Sequence, residues 1–323
     1  MAIAALLATA LPGGDVKWTA PPGLDAYLPT PEDNPLTPEK VVLGRDLFHD
    51  KRLSRDESIS CATCHDPDRG FADDKPVAVG VQGRKGDRRT PTLINRGYGT
   101  SFFWDGRSPT LEDQVVKPIE NPIEMDLTLN EAVARIGSAP EYRERFQTVF
   151  GREPNAQDLA RALASYVRTI VAGDSPYDRY LAGDMNALSE QAREGLRLFR
   201  GKANCAGCHV GPNLTDERFH NTGAAWRDGK LTDAGRAKVT GNPEDQGAFK
   251  TPTLRNLTGR GPYMHNGSLA KLEDVIEDYD KGGTENPYLD PEMQPLKLTP
   301  EEKKALLAFL EALNGRLRDG IPD

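Results

Sequence analysis

Cys61-Ala62-Thr63-Cys64-His65 is the stretch on which the reading of this chain turns, because it recurs as Cys205-Ala206-Gly207-Cys208-His209. C-x-x-C-H is the attachment signature of a c-type haem: two thiols add to the porphyrin vinyl groups and the adjacent His ligates iron. The chain has four cysteines, and both pairs stand in this pattern. The alternatives are a zinc site or a pair of redox dithiols. Zinc would need a second His or Cys at ligand spacing, which neither copy has. We read two covalently bound haem c groups, with iron on His65 and on His209.

The two halves share more than this motif. Thr90-Pro-Thr-Leu-Ile-Asn95 matches Thr251-Pro-Thr-Leu-Arg-Asn256, and without a gap Gly106 matches Gly267 and Leu111-Glu-Asp113 matches Leu272-Glu-Asp274. A register kept over so long a stretch implies the same backbone path in each half. Positions that differ between the copies then report how the two haems differ. Trp104 stands opposite His265, Gln114 opposite Val275 and Pro118 opposite Tyr279. Periodicity alone makes Tyr279 a buried aromatic on a helix. If the segment lies over the distal face of each haem, Pro118 leaves the first iron open and Tyr279 closes the second with a phenolate.

Length and composition bound the rest. The 323 residues carry 41 Lys+Arg against 49 Asp+Glu, a net charge of −8. An acidic chain argues against nucleic acid as a partner and suits a basic redox protein. Mean hydropathy is −0.59, that of a soluble globular chain, and the length suggests two domains. The one long apolar run, residues 2–11, is too short to span a bilayer. It fits a signal-peptide core with Ala8-Thr9-Ala10 as cleavage site, although a basic leader segment is missing. Covalent haem attachment outside the bacterial cytoplasm points the same way, so a periplasmic location is expected, with no stable membrane span.

Helix signals dominate. Residues 1–35 read as a signal remnant and extended lead-in. Thr37-Pro38 opens a helix to about His49. Helices are expected from Thr110 to near Pro118, from the Thr128–Glu131 capping box to about Ser138, and over Tyr142–Phe150 and Ala156–Val171. Asp174–Asp184 reads as a linker. Ser189 caps a helix that delivers the second haem motif, residues 210–250 read as irregular, and Pro300–Leu313 as a final amphipathic helix. The class is mainly α, with boundaries at 36–175 and 176–323.

The order C-x-x-C-H, Thr-Pro-Thr-Leu-x-Asn, Phe103-Trp104-Asp105-Gly106-Arg107, Pro118-x5-Glu124-Met125, C-x-x-C-H, Phe249-Lys250-Thr-Pro-Thr-Leu-Arg-Asn256, Gly261-Pro-Tyr-Met-His-Asn-Gly267 resembles the bacterial dihaem cytochrome c peroxidase/MauG superfamily. The match runs from about Leu36 to Leu313. It implies two cytochrome c-like haem domains related by the internal repeat, the first binding peroxide. Asp278-Tyr279-Asp280-Lys281-Gly282 is similar to the MauG- or MbnH-like branch, where Tyr, not the peroxidases' Met, ligates the second iron. Peroxidases that need reductive activation carry a loop His over the first haem. That position is Val81 here, and residues 66–208 contain no His.

The resemblance further implies hydrogen peroxide as oxidant, with Glu124 moving its proton, Gln114 hydrogen-bonding the bound oxygen and Trp104 relaying a hole between the haems. It implies a high-valent, bis-Fe(IV)-like state that oxidises an aromatic residue, Trp first, on a periplasmic partner protein. The alternative is a cytochrome c peroxidase fed by a small cytochrome or copper protein. A passive electron-transfer cytochrome is a third reading, against which the open first site argues. Without the resemblance, Glu124 reads as a solvated acid, Gln114 as a helix-surface amide and Trp104 as a core aromatic. His265 is expected beside a haem without ligating iron, His220 to be structural and His49 to lie on the surface. Met264 is a weak rival to Tyr279. Two departures stand out. Family members bind calcium between the domains through an Asn, which reads as Arg89 here; Asp87 and carbonyls at Gly241 and Pro243 are the remaining candidates. A Trp that faces MauG's protein substrate is Ala203 here.

Overall fold

Thr37 starts helix α1 (Pro38–His49) as expected, its hydroxyl accepting from the Lys40 amide, with Pro38 in the first turn where no N–H is needed. The structure, a computed structural model, describes residues 18–321. The apolar run and the expected cleavage site lie outside them. After α1 come α2 (Cys61–Cys64), α3 (Leu111–Glu120), α4 (Leu129–Ser138), α5 (Pro140–Phe150) and α6 (Ala156–Arg168). The second half holds α7 (Pro176–Leu181), α8 (Glu190–Arg200), α9 (Ala237–Thr240), α10 (Leu272–Asp280) and α11 (Pro300–Glu311). Strands among the described residues are two or three residues long: β1 (Val171–Gly173), β2 (Phe219–His220), β3 (Trp226–Arg227), β4 (Lys230–Leu231), β5 (Phe249–Lys250) and β6 (Arg316–Arg318). The protein is mainly α.

Each half is built on one helix crossing. The helix before each haem motif packs against the last helix of its half, α1 on α6 and α8 on α11. Glycine makes both crossings close: a Cβ on Gly44 would overlap the Ala162 carbonyl, and one on Gly195 the Ala305 carbonyl. Around the first crossing Leu47, Phe48, Leu163 and Tyr166 are fully buried, and around the second Phe199, Phe309 and Leu313. Each such side chain contributes about 1.5–3 kcal/mol by leaving water. The two apolar cores run from Val41 to Ala172 and from Tyr177 to Leu313.

The repeat is visible as geometry. Asn95 and Asn256 both adopt positive φ, 59° and 52°. Asn95 exchanges two hydrogen bonds with the Ala172 backbone, and Asn256 two with Gly315. The halves meet reciprocally. The Arg89 amide donates to the His265 carbonyl at 2.7 Å, and the Lys250 amide donates to the Trp104 carbonyl at 2.8 Å. The offset that relates Thr90 to Thr251 also relates Arg89 to Lys250 and Trp104 to His265, so this is one contact made twice about a pseudo-twofold axis.

Three expectations are corrected. Helix α3 runs through Pro118 to Glu120. Proline lacks the N–H that would donate to the Gln114 carbonyl, which costs one bond, while its own carbonyl near the helix end accepts from the Met125 amide. Helix α6 ends at Arg168, and Val171 pairs with Arg318 in β1–β6. The expected linker holds α7, capped by Ser175 with Asp178 in a capping box. No helix among the described residues is long and apolar enough to cross a membrane.

Candidate active site

Both C-x-x-C-H motifs form a single tight turn, in which the His65 amide donates to Cys61 O and the His209 amide to Cys205 O, each at 2.9 Å. The turn brings two thiols and an imidazole to one side of the chain. His65 Nδ1 lies 3.2 Å from Phe71 O, and His209 Nδ1 lies 3.0 Å from Leu214 O. Both carbonyls belong to residues with positive φ, 54° and 52°. Non-glycine residues reach that region at a cost, and here it aims a carbonyl at each ring. An imidazole donating through Nδ1 has Nε2 left for iron, which fixes the ligating nitrogen. Burial pushes His65 down to about 4 and lowers His209, so both rings are neutral, the ligating form.

One cavity is lined by both motifs and by Trp104, Gln114, Pro118, Glu124, His265 and Tyr279. Gln114 and Pro118 sit one turn apart on α3, which puts them on one face. Asn121 donates to Glu124 Oε1 at 2.7 Å. Burial nevertheless raises the Glu124 pKa, against Asn121 and the Arg107 charge. Val81 is fully buried, and its amide donates to the Glu124 carbonyl at 2.8 Å. The expected loop position therefore packs a valine behind the acid.

Trp104 donates its indole N–H to Arg89 O at 2.8 Å. His265 stacks on Phe249, ring centroids 3.6 Å apart and 13° from parallel. Its Nε2 is buried without a hydrogen-bond partner, and burial lowers the ring to about 4. Tyr279, on α10, faces the same cavity as Cys205, Cys208 and His209. Burial first, then the neighbouring Cys205 and Cys208, push the phenol's pKa up. A metal cation beside it would reverse that preference. Met264 also lines the cavity, His49 is exposed at the end of α1, and Ala203 is buried.

His220 is held on both sides, Nδ1 2.6 Å from Asp290 and Nε2 2.9 Å from Asp216. Cys208 as a free thiol is the largest influence raising its pKa, and against burial Asp290 and Asp216 raise it as well; with Cys208 joined to haem, the two carboxylates remain to favour the charged ring. Ligand atoms of Cys208, Asp216 and His220 lie within 4.8 Å of one another. Cys208 belongs to a haem motif and both His220 nitrogens are engaged, so this is no separate metal site.

Sequence reasoning missed Asn121, Lys250 and Arg260. Lys250 is buried, its Nζ 3.7 Å from Glu217. Burial, and the Arg96 charge next, lower it to about 7. Burial also lowers the Arg260 guanidinium to about 10, with Arg89 adding to the shift. The repeat offered one signal, since it makes Lys250 the counterpart of Arg89.

The residues fit two haems. Two thiol pairs and two neutral imidazoles face one largely apolar cavity. Buried Nε atoms of Arg89 and Arg260, both from cavity-lining residues, lack acceptors, which the haem carboxylates would supply. Calcium does not fit. Asp87, Gly241 and Pro243 are exposed, and Arg89 spends its guanidinium on the carbonyls of Asp73, Thr90 and Arg260.

Comparison with known proteins agrees with this geometry. Residues 38–186 match the family described as di-haem cytochrome c peroxidase, and residues 192–314 match cytochrome c. The methylamine utilization protein MauG of Methylorubrum extorquens is 44% identical over 290 residues, 88% of this chain and 81% of that one. A cytochrome-c peroxidase of a Pseudomonas species is 37% identical over 317 residues, covering 89% of this chain and 84% of that one. The crystal structure of a MauG-like protein associated with microbial copper homeostasis superposes with a TM-score of 0.83 at 35% identity, covering 90% of this chain and 95% of that one. The chain is a haem-dependent oxidoreductase that belongs to the di-haem cytochrome c peroxidase/MauG family.

Proposed function

We propose that this protein works in the periplasm and uses hydrogen peroxide to oxidise an aromatic residue, tryptophan first, on a partner protein. The observation that carries the reading is an asymmetry. Helices α3 and α10 start at equivalent leucines and line one cavity, yet Pro118 stands on one where Tyr279 stands on the other. Proline offers iron nothing; tyrosine offers an oxygen.

Cys61, Cys64, Cys205 and Cys208 would attach the haems, and His65 and His209 would hold their irons. Residues 36–175 form the peroxide-binding domain and 176–323 the tyrosine-ligated one. When bound, the haem pair supplies the redox chemistry, accepting peroxide at the first iron and holding oxidising equivalents. Glu124 takes the proton from the inner oxygen of peroxide and returns it to the outer one, a task that its raised pKa suits. Asn121 holds that carboxyl in place, and Gln114 hydrogen-bonds the oxygen. Trp104, pinned by Arg89 O, carries the hole between the halves. Tyr279 would favour the oxidised state of an iron bound to it, since an anionic oxygen ligand stabilises higher charge where a thioether stabilises the reduced form.

The second reading is a peroxidase drawing electrons from a small cytochrome or copper protein, favoured by the peroxidase relatives at 37% identity. Mixing the fully ferric protein with peroxide and no donor separates the two. A long-lived near-infrared absorption band is expected, and it should be lost in Tyr279→Met. A requirement for half-reduction before any reaction would sink the proposal in favour of the peroxidase. Mass spectrometry of a co-encoded partner after incubation with peroxide would identify the modified residue.

A further inference from the structure

Arg89 is 7% exposed, and among the described residues no carboxylate lies within ion-pair distance of it. Its two Nη atoms are spent on backbone carbonyls instead, and only Nε is left for a haem carboxylate. Nη2 donates to Asp73 O at 2.9 Å and to Arg260 O at 2.6 Å, and Nη1 donates to Thr90 O at 3.1 Å. Asp73 and Thr90 belong to the first half and Arg260 to the second. Converging carbonyls from separate segments are what a hard cation collects. We propose that the Arg89 guanidinium is a built-in cation that fills this carbonyl site between the halves and excludes calcium from it.

Exclusion follows from size. Calcium needs six to eight oxygens at about 2.3–2.6 Å, and to share these three it would have to stand where the guanidinium stands. The guanidinium is charged at every working pH and its donors are fixed in a plane, so the site needs no ion uptake. The same residue fixes the relay region through its backbone. The Arg89 amide donates to His265 O at 2.7 Å, and its carbonyl accepts from the Trp104 indole at 2.8 Å. A cation seated here therefore holds the segment whose carbonyl holds Trp104. This inference does not depend on the oxidised substrate.

The test uses the holoprotein with both haems. After equilibration in millimolar calcium and gel filtration, elemental analysis should find iron but no calcium above background. Adding EDTA should shift neither the melting temperature nor the haem spectrum. In Arg89→Asn the guanidinium is replaced by an amide oxygen beside freed carbonyls. Its melting temperature should fall by roughly 5–10 °C in EDTA and recover in millimolar calcium, to which the natural protein stays indifferent. Arg89→Lys, which keeps the charge but not the fork, should melt lower without responding to calcium. One calcium per chain in the natural protein, or a melting temperature that EDTA lowers, would overturn the proposal without needing any variant. An Arg89→Asn protein indifferent to calcium would overturn it as well.

Discussion

Glu124 shows what one residue's surroundings add to its sequence. As a letter it is one of many acids; in place, it faces a cavity, accepts from Asn121 and is biased by burial toward its neutral form. Glu124→Gln should slow the reaction with peroxide by about 10²–10⁴-fold, the usual worth of a positioned proton carrier, as read by stopped-flow absorbance. Stability should move the other way. A carboxyl whose pKa is raised on folding is penalised when ionised, and that penalty is absent below its ordinary pKa and complete above the raised one. The uncharged amide removes it, so the variant should be at least as stable at neutral pH. The rate in the natural protein should fall as pH drops through the raised value, where Glu124 arrives already protonated. Glu124 was legible only through the order of motifs around it. Asn121 was not legible at all, because its pairing depends on how the turn after α3 closes.

Among the elements, the two crossings are the most exposed to small changes. Gly195→Ala would drive a methyl into the Ala305 carbonyl, backbone that cannot step aside, and against the Phe309 Cβ. It should lose about 1–3 kcal/mol as helices α8 and α11 separate, read by thermal or chemical denaturation. Gly137 on α4 is the contrast, since a Cβ there would meet only Pro154, at 3.9 Å. Gly137→Ala should be neutral or stabilise by up to about 1 kcal/mol through helix propensity. If both substitutions behaved alike, close packing at the crossing would not be what Gly195 provides. Helix starts were well marked in the chain, at Thr37, Thr128 and Ser189, because a cap is a local hydrogen bond. Helix ends were less so. Pro118 looked like a stop, but a proline in a last turn removes one bond and leaves the helix standing, while α6 stopped early so that Val171 could pair with a strand far along the chain.

At the scale of the whole molecule, Asp178 and Arg255 tie the segment between the halves to the second Thr-Pro-Thr-Leu-x-Asn run. Their two charge-assisted hydrogen bonds measure 2.7 and 2.9 Å, and both residues are buried. Arg255 also donates to Gly23 O, so the lead-in is tied down as well. Burial raises the Asp178 carboxyl, but Arg255 outweighs it and holds the pKa below the ordinary range. Asp178→Asn leaves a buried guanidinium without its counter-charge and should cost about 3–5 kcal/mol near neutral pH. Because the folded pKa is depressed, the pair's contribution is complete above the ordinary carboxylate pKa and is lost as pH falls through the depressed value. The gap between natural protein and variant should therefore close in acid, as followed by denaturation at a series of pH values. A gap that stayed constant would point to packing instead of charge.

The chain by itself determined what covalent chemistry and local geometry can write: two haem motifs, helix caps, an internal repeat, and the substitutions of Pro118 for Tyr279 and Trp104 for His265 inside it. Those are statements about near neighbours or about one copy compared with another. Only the tertiary structure decided that both motifs open on one cavity, that Arg89 and Lys250 make equivalent contacts across a pseudo-twofold axis, and that a buried guanidinium gathers the carbonyls of Asp73, Thr90 and Arg260. Each of these joins groups far apart in sequence through hydrogen bonds whose partners carry no side-chain signature. Backbone carbonyls look the same at every position in a sequence, and folding alone selects which of them converge.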